Sequence, residues 1–362
     1  MGDIFEKRVS KVIRDFNNDQ IQAFVVTRGT DIRYLTGFTG EAGVAAVILT
    51  NNKKYFITDG RFTNQASQEL NGYEIFQWKQ GSGLYGQVGE ILKDINIKEA
   101  IADFQQISHK NYQVLIKNYD NEVKDCKPYI SDTRKVKDEE EIKSIRRACN
   151  ITEKSFFAVL DKIQPGQTEK DIKNLLEYEF TNNGGEGAAF PIIIASGADN
   201  GANPHATVSD RKIQKGDMVT IDFGAAYNGY CSDVTRTISI GKPSEELMNI
   251  YRVVKEAKDC GVAKLKAGVP AKEIDIAIRD TIKNAGYVLP HGPGHGFGLD
   301  IHEDPFLGPN NQYNMEENVI HTIEPGIYVP GVGGVRIEDD YMITKDGYEL
   351  LTPNISQELI II

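Results

Sequence analysis

Paired cysteines, a cationic surface and an apolar leader are all missing from this chain, and each absence removes a class of function. The four cysteines, Cys126, Cys149, Cys231 and Cys260, have neither disulfide-like nor metal-knuckle spacing, so free thiols in a reducing compartment are expected. Acidic residues outnumber basic ones, 52 against 41, and a net charge of −11 argues against a nucleic-acid or anionic-membrane partner. The opening MGDIFEKRVSKVIRDF has charges scattered through it and no uninterrupted apolar region, so neither a secretory signal nor a membrane anchor is read there. The expectation is a cytoplasmic protein. What remains is ordinary for a globular chain: 40% hydrophobic, 9% aromatic and 26% charged residues, over a length of 362 that accommodates two domains.

The first 16 residues carry Ile4, Phe5, Val9, Val12, Ile13 and Phe16 at helical spacing, which predicts an amphipathic helix. IQAFVVT, GVAAVILT and KYFITDG then read as strands, with Asn51-Asn52 marking a turn between the last two. An αβ domain over 1–131 follows, with no constellation of chemical residues: His109 stands alone, and Trp78 among its Tyr and Phe neighbours reads as packing. From Asp132 the composition shifts to a strongly charged helix, ISDTRKVKDEEEIKSIRRACN, and a second domain is expected over 132–362.

That second region holds four acids in two hairpin-like segments, Asp222 and Asp233 in TIDFGAAYNGYCSDVTRT, then Glu324 and Glu338 in TIEPGIYVPGVGGVRIED. Asn228-Gly229 is a strong two-residue hairpin signal; a turn there sets Asp222 opposite Thr235 and Gly224 opposite Asp233. Period-two alternation puts both aspartates on one face, a diagonal step of roughly 7–8 Å apart. In the second segment a loop centred on Gly331 sets Glu324 opposite Glu338. Asp222 follows the apolar run from Met218 to Ile221, and Glu324 follows Val319, Ile320 and Ile323, so the acids project from strands that read as buried. A like-charged pair at about 4 Å costs on the order of 4 kcal/mol at an effective dielectric near 20, so four acids in one pocket require compensating cations. Two divalent ions would neutralise them, and mixed oxygen and imidazole donors suit Mn, Co, Fe or Zn better than Ca or Mg. HGPGHGFGLDIHEDP, between the hairpins, offers His291, His295 and His302 as imidazole donors, and spacing does not choose among them.

The chain also repeats itself at an offset of 102, which aligns Gly166 with Gly268, Lys170 with Lys272, Ile172 with Ile274, Gly184 with Gly286 and Asp222 with Glu324. Two αβ halves related by pseudo-twofold symmetry are predicted, each lending one carboxylate hairpin to a shared centre.

With those residues in hand, the chain closely resembles the pita-bread metallopeptidases, in particular the aminopeptidase P and prolidase group with its creatinase-like N-terminal domain. The likeness rests on YLTGFTG and TDGRFTNQA in the first region, and on NPHA, IDFGAAYNGYCSDVTRT, GPGHGFGLDIHEDP, TIEPGIY and GVRIEDD in the second. It implies an α/β (α+β) chain whose C-terminal domain has the pita-bread fold. It makes Asp222, Asp233, His295, Glu324 and Glu338 the ligands of two divalent metal ions, Mn2+ first among them with Co2+, Fe2+ or Zn2+ as substitutes. Glu324 would also move protons, and His205 and His302 would line the substrate cleft as catalytic non-ligand histidines. His291 and Arg336 are further candidates for substrate contact, Arg336 also for orienting Glu338; His321 reads as structural, and Cys231 shares strand parity with Asp233. The implied substrate is a peptide with proline after the scissile bond, and the implied assembly a homodimer.

Some prolidases carry an Arg shortly after the HE pair to hold a dipeptide's carboxylate; here that stretch is HEDPFLG, with Phe306 and no basic side chain. This departure favours an Xaa-Pro aminopeptidase acting on longer peptides, with an Xaa-Pro dipeptidase as the alternative. Metal-free creatinase-type hydrolases and non-catalytic peptide-binding modules share the fold but call for broken ligand sets, whereas this set is complete.

Overall fold

A computed structural model describes residues 2–362, with side chains described from Ile4 onward; Met1, part of the expected first helix, lies outside the described residues. The chain divides into two compact units, one ending at Thr133 and the other spanning Arg134–Ile362.

In the first unit, helix α1 (Gly2–Asn18) buries Val9, Val12 and Phe16, the stripe its periodicity predicts. β1 (Ala23–Val26), β2 (Ala45–Thr50) and β3 (Lys54–Thr58) are the three strands read from sequence; β2 runs antiparallel to both β1 and β3, with Ala45 paired to Thr58 across the Asn51-Asn52 turn. Shorter β4 (Glu74–Gln77), β5 (Ala100–Ala102) and β6 (Val123–Asp125) extend this sheet in parallel to the order β4-β3-β2-β1-β5-β6. Helices α2 (Gly29–Thr36), α3 (Thr63–Glu69), α4 (Gly83–Asp94) and α5 (His109–Tyr119) connect the strands; Val88, Ile91, Leu92, Leu115 and Tyr119 from α4 and α5 are buried in its core.

Helix α6 (Tyr129–Lys135) carries the chain into the second unit, which is built twice over. Its first half contains α7 (Glu139–Leu160), α8 (Glu169–Asn182) and strands β7 (Gly187–Ala188), β8 (Ile193–Ser196), β9 (Met218–Phe223), β10 (Ala225–Tyr227), β11 (Tyr230–Cys231) and β12 (Val234–Ser239). The second half contains α9 (Glu245–Val262), α10 (Ala271–Asn284) and strands β13 (His295–Gly296), β14 (Glu303–Phe306), β15 (Ile320–Ile323), β16 (Gly326–Val329), β17 (Gly333–Arg336), β18 (Asp339–Ile343) and β19 (Tyr348–Leu350). The repeat survives at the level of single hydrogen bonds. α8 and α10 are both 14 residues long and start 102 apart, and each is preceded by a glycine with positive φ, Gly166 at 94° and Gly268 at 87°. The Gly166 N–H donates to Ile213 O and the Gly268 N–H to Met315 O; Lys170 N–H donates to Ser209 O and Lys272 N–H to Asn311 O.

Two sheets follow from the predicted hairpins. β9 lies between β8 and β12, and β15 lies within the order β14-β13-β15-β18-β19. Apolar cores cover them, one on α7 and α8 around Phe156, Leu176, Phe180 and Phe223, the other on α9 and α10 around Ile250, Val254, Ile278 and Ile323. At roughly 25 cal/mol per Å² of apolar surface removed from water, burial of these side chains stabilises the sheets that carry the acids. No helix among the described residues is long and apolar enough to cross a membrane.

Candidate metal centre

Two turns set the site's register. Asn228 and Gly229 both have positive φ, 51° and 74°, the backbone a tight two-residue hairpin turn needs. Asp222 therefore pairs with Thr235, as the turn signal predicts. Gly224 is required where the strand passes its partner, because a Cβ there would stand 1.8 Å from Ser232 O. In the second segment Gly326 pairs with Arg336, Val329 with Gly333, and Ile323 with Asp339, one register through two strand pairs that sets Glu324 opposite Glu338.

The nine residues singled out from sequence all line one cavity of about 430 Å³: Asp222, Asp233, His295, Glu324, Glu338, His205, His291, His302 and Arg336. Ligating atoms of Asp233, His295 and Glu338 all lie within 4.8 Å of one another. His295 Nε2 is 3.5 Å from Asp233 Oδ2 and 3.5 Å from Glu324 Oε1. Its Nδ1 stands 3.0 Å from Gly296 O, so an N–H there leaves Nε2 as a lone-pair donor aimed at the acids. Glu338 Oε2 accepts a 2.6 Å bond from Thr235 Oγ1, and Asp233 N–H donates to Asp340 Oδ2 at 3.0 Å.

Electrostatics give the arrangement its sense. Burial, reinforced by Glu338 and Asp222, holds the Asp233 carboxyl well above the usual range, and burial with Glu338 does the same to Glu324. Burial and Asp222 push Glu338 up to about 8. His295, by contrast, is pushed down to about 3, chiefly by burial, which leaves a neutral imidazole. Asp222 Oδ1 and Glu338 Oε1 are buried without any hydrogen-bond partner. Orphaned acid oxygens, repelling carboxyls and a neutral imidazole in one cavity are donors suited to divalent cations, so the residues fit a metal.

Arg336 departs from expectation. Its Nη2 donates to Asp222 Oδ2 at 2.6 Å, not to Glu338, while Nε reaches Thr235 Oγ1 at 3.1 Å and Nη1 reaches Tyr328 Oη at 2.6 Å and Pro204 O at 3.0 Å. Arg336 is four per cent exposed and still lines the cavity. Tyr328, missed in the sequence, links it onward to His291 Nε2 at 3.1 Å. Strand parity could have found it: Tyr328 pairs with Gly334, which shares a face with Arg336. Cys231 is not among the cavity-lining residues despite its parity with Asp233; its thiol is buried, and burial pushes it up to about 12. His321 is fully buried with both ring nitrogens near backbone carbonyls, Thr322 O at 2.6 Å and Pro305 O at 3.0 Å, and stays outside the cavity.

The strand bearing the HED segment has its own anchor. Glu303 accepts from Lys137 Nζ at 2.8 Å and Arg134 Nη2 at 2.5 Å, and these cations outweigh burial to pull its carboxyl from 4.5 down to about 2. A carboxyl lowered on folding stabilises the native state above its unfolded value and loses that contribution as pH falls. Stability of the native chain should therefore decline between pH 4.5 and about 2 more steeply than that of Glu303→Gln, as urea midpoints across this window will report. Parallel profiles would contradict this.

Residues 143–345 match the profile of metallopeptidase family M24, and residues 8–136 that of the creatinase/prolidase N-terminal domain. The chain is 35% identical over 352 residues to an Xaa-Pro dipeptidase of Pyrococcus horikoshii, covering 97% of this chain and 98% of that protein. Among solved structures, an Xaa-Pro dipeptidase from Bacillus anthracis superposes with a TM-score of 0.94 at 37% identity, covering 99% of this chain and 100% of the other. An X-Pro aminopeptidase from Thermotoga maritima gives 0.89 at 34% identity, covering 98% and 99%.

Proposed function

The chain belongs to metallopeptidase family M24 and has the two-part pita-bread architecture of that group, and from this premise we propose that it hydrolyses the Xaa-Pro bond of dipeptides. One observation carries the chemistry: buried, partnerless oxygens on Asp222 and Glu338 in the same cavity as Asp233, Glu324 and a neutral His295. These five side chains are assigned as the ligands of two divalent ions, Mn2+ by donor type, with Co2+, Fe2+ or Zn2+ as substitutes. Bound there, such ions supply Lewis acidity for the scissile carbonyl and an activated water.

The remaining steps fall to the chain's own groups. The Glu324 carboxylate takes the proton released by the attacking water and returns it to the leaving nitrogen. Burial lowers His302 below its ordinary value, so it meets substrate as a neutral imidazole with one N–H to offer a developing oxyanion. His205 lines the same cavity and is assigned the same task. Phe190, Pro191, Ile193, Phe306 and Leu307 supply apolar wall on which a pyrrolidine ring can pack. Thr235 orients Glu338, so Thr235→Val should weaken metal binding by about 10- to 100-fold, read by calorimetric titration of the chelator-treated protein. Unchanged affinity would contradict that assignment.

Relatives named Xaa-Pro dipeptidases support the dipeptide reading over the longer-peptide one that Phe306 favours. The aminopeptidase reading has in its favour the likeness to the Thermotoga maritima X-Pro aminopeptidase, and Phe306, which is 46% exposed at the cavity, where a cation would be useful for a dipeptide carboxylate. Specificity constants for matched Xaa-Pro and Xaa-Pro-Yaa substrates decide between them. A ratio favouring the dipeptide by about tenfold or more is expected, worth about 1.4 kcal/mol in transition-state binding; the inverse ratio supports the aminopeptidase.

A further inference from the structure

The loop that delivers His205 to the cavity has no regular secondary structure after Asn200–Ala202, yet its two ends are tied to one buried carboxylate. Glu169, the first residue of α8, is fully buried. Its Oε1 accepts from Ser196 N–H at 2.9 Å and Ser196 Oγ at 2.7 Å. Its Oε2 accepts from Asn200 Nδ2 at 2.7 Å, Ser209 N–H at 2.9 Å and Ser209 Oγ at 2.7 Å. Five donors on one carboxylate thus gather residues on both sides of Pro204 and His205, while Arg336 holds Pro204 O from the other direction.

The pseudo-twofold repeat provides an internal control. Ala271 stands where Glu169 stands, at the first position of α10, and is equally buried. The surrounding backbone is the same in both halves: Glu169 N–H donates to Arg211 O and Ala271 N–H to Tyr313 O, and Thr168 bridges to Lys212 as Pro270 does to Asn314. Starting this helix on this sheet therefore needs no acid. The acid is present only in the half whose loop carries His205, where a buried carboxylate is costly unless its hydrogen bonds are complete.

We propose that Glu169 is a positioning residue for the reaction, acting through the loop it holds to place His205 against the substrate. This rests on the reading of His205 as an oxyanion donor. A Gln at 169 keeps the volume but can accept at one atom only, so donors on one side of the loop lose their partner.

The test is a double-mutant cycle on the Mn-loaded full chain, with kcat, KM and Tm for native, Glu169→Gln, His205→Ala and doubly substituted proteins. His205→Ala should lower kcat by about 100-fold. Glu169→Gln should lower it by about 10-fold with KM changed less than kcat, and the double variant should be no slower than His205→Ala alone. A purely structural Glu169 would lower Tm and leave kcat per folded molecule unchanged. That result, or a double variant a further 10-fold below His205→Ala, overturns the positioning role alone. Native kcat in His205→Ala overturns both the role of His205 and the inference built on it. If Glu169→Gln does not fold, Asn200→Ala removes a single donor at the loop's edge and should show a smaller kcat loss that also vanishes in the His205→Ala background. Its absence in native background overturns the proposal.

Discussion

Glu324→Ala is expected to lower kcat for Xaa-Pro hydrolysis by about 10⁴-fold or more, because one substitution removes both a ligand and the group that moves the proton. The side chain has no other structural task of comparable weight: it faces the cavity, 3.5 Å from His295 Nε2 and 4.0 Å from His291 Nδ1. Burial and Glu338 hold its carboxyl well above the ordinary range in the absence of a cation, so deletion relieves repulsion and the variant should fold at least as well as the native chain without metal. Glu324→Gln separates the two duties. The amide keeps one oxygen for coordination but accepts no proton, so metal content should fall less than activity. Activity retained by either variant at native levels would remove Glu324 from the mechanism.

Chelation should produce the second large effect. Asp222, Asp233, Glu324 and Glu338 repel one another in one cavity, and two of their oxygens have no hydrogen-bond partner. A ligand that binds only the native state stabilises it by about 4 kcal/mol at a thousandfold excess over its Kd, and two sites add. Treatment with a chelator should abolish hydrolysis and lower Tm by several degrees, and readdition of Mn2+ should restore both. The Tm shift should shrink in Asp233→Ala, which loses an acid 3.5 Å from His295 Nε2. Hydrolysis that survives exhaustive chelation would exclude the metal assignment.

Much of this site was legible in the sequence because its register is fixed by local turn chemistry. Asn228-Gly229 dictates a two-residue hairpin whatever surrounds it, and period-two alternation then places Asp222 and Asp233 without tertiary information. The repeat was legible for the same reason: glycines with positive φ and helices of equal length leave a fixed offset that chance does not sustain through backbone bonds. What stayed hidden depends on contacts between distant segments. Arg336 could be assigned to the right face but not to Asp222, 114 positions earlier in the chain. Nothing in the sequence distinguishes Glu169 from the acids common in the first turn of a helix; its five donors come from 27 to 40 positions away. The strands β5 and β6 are three residues each, too short for alternation to register against the flanking helices. Choosing His295 among three histidines in a glycine-rich stretch required the family resemblance, since spacing in an irregular segment carries no face.

The most direct test is a titration of chelator-treated protein with Mn2+, following hydrolysis of an Xaa-Pro dipeptide against metal bound per chain. Activity should be absent without the ion, rise with occupancy and saturate at two ions per chain. Saturated metal binding without hydrolysis of any Xaa-Pro substrate, or full hydrolysis with no ion bound, would contradict the account.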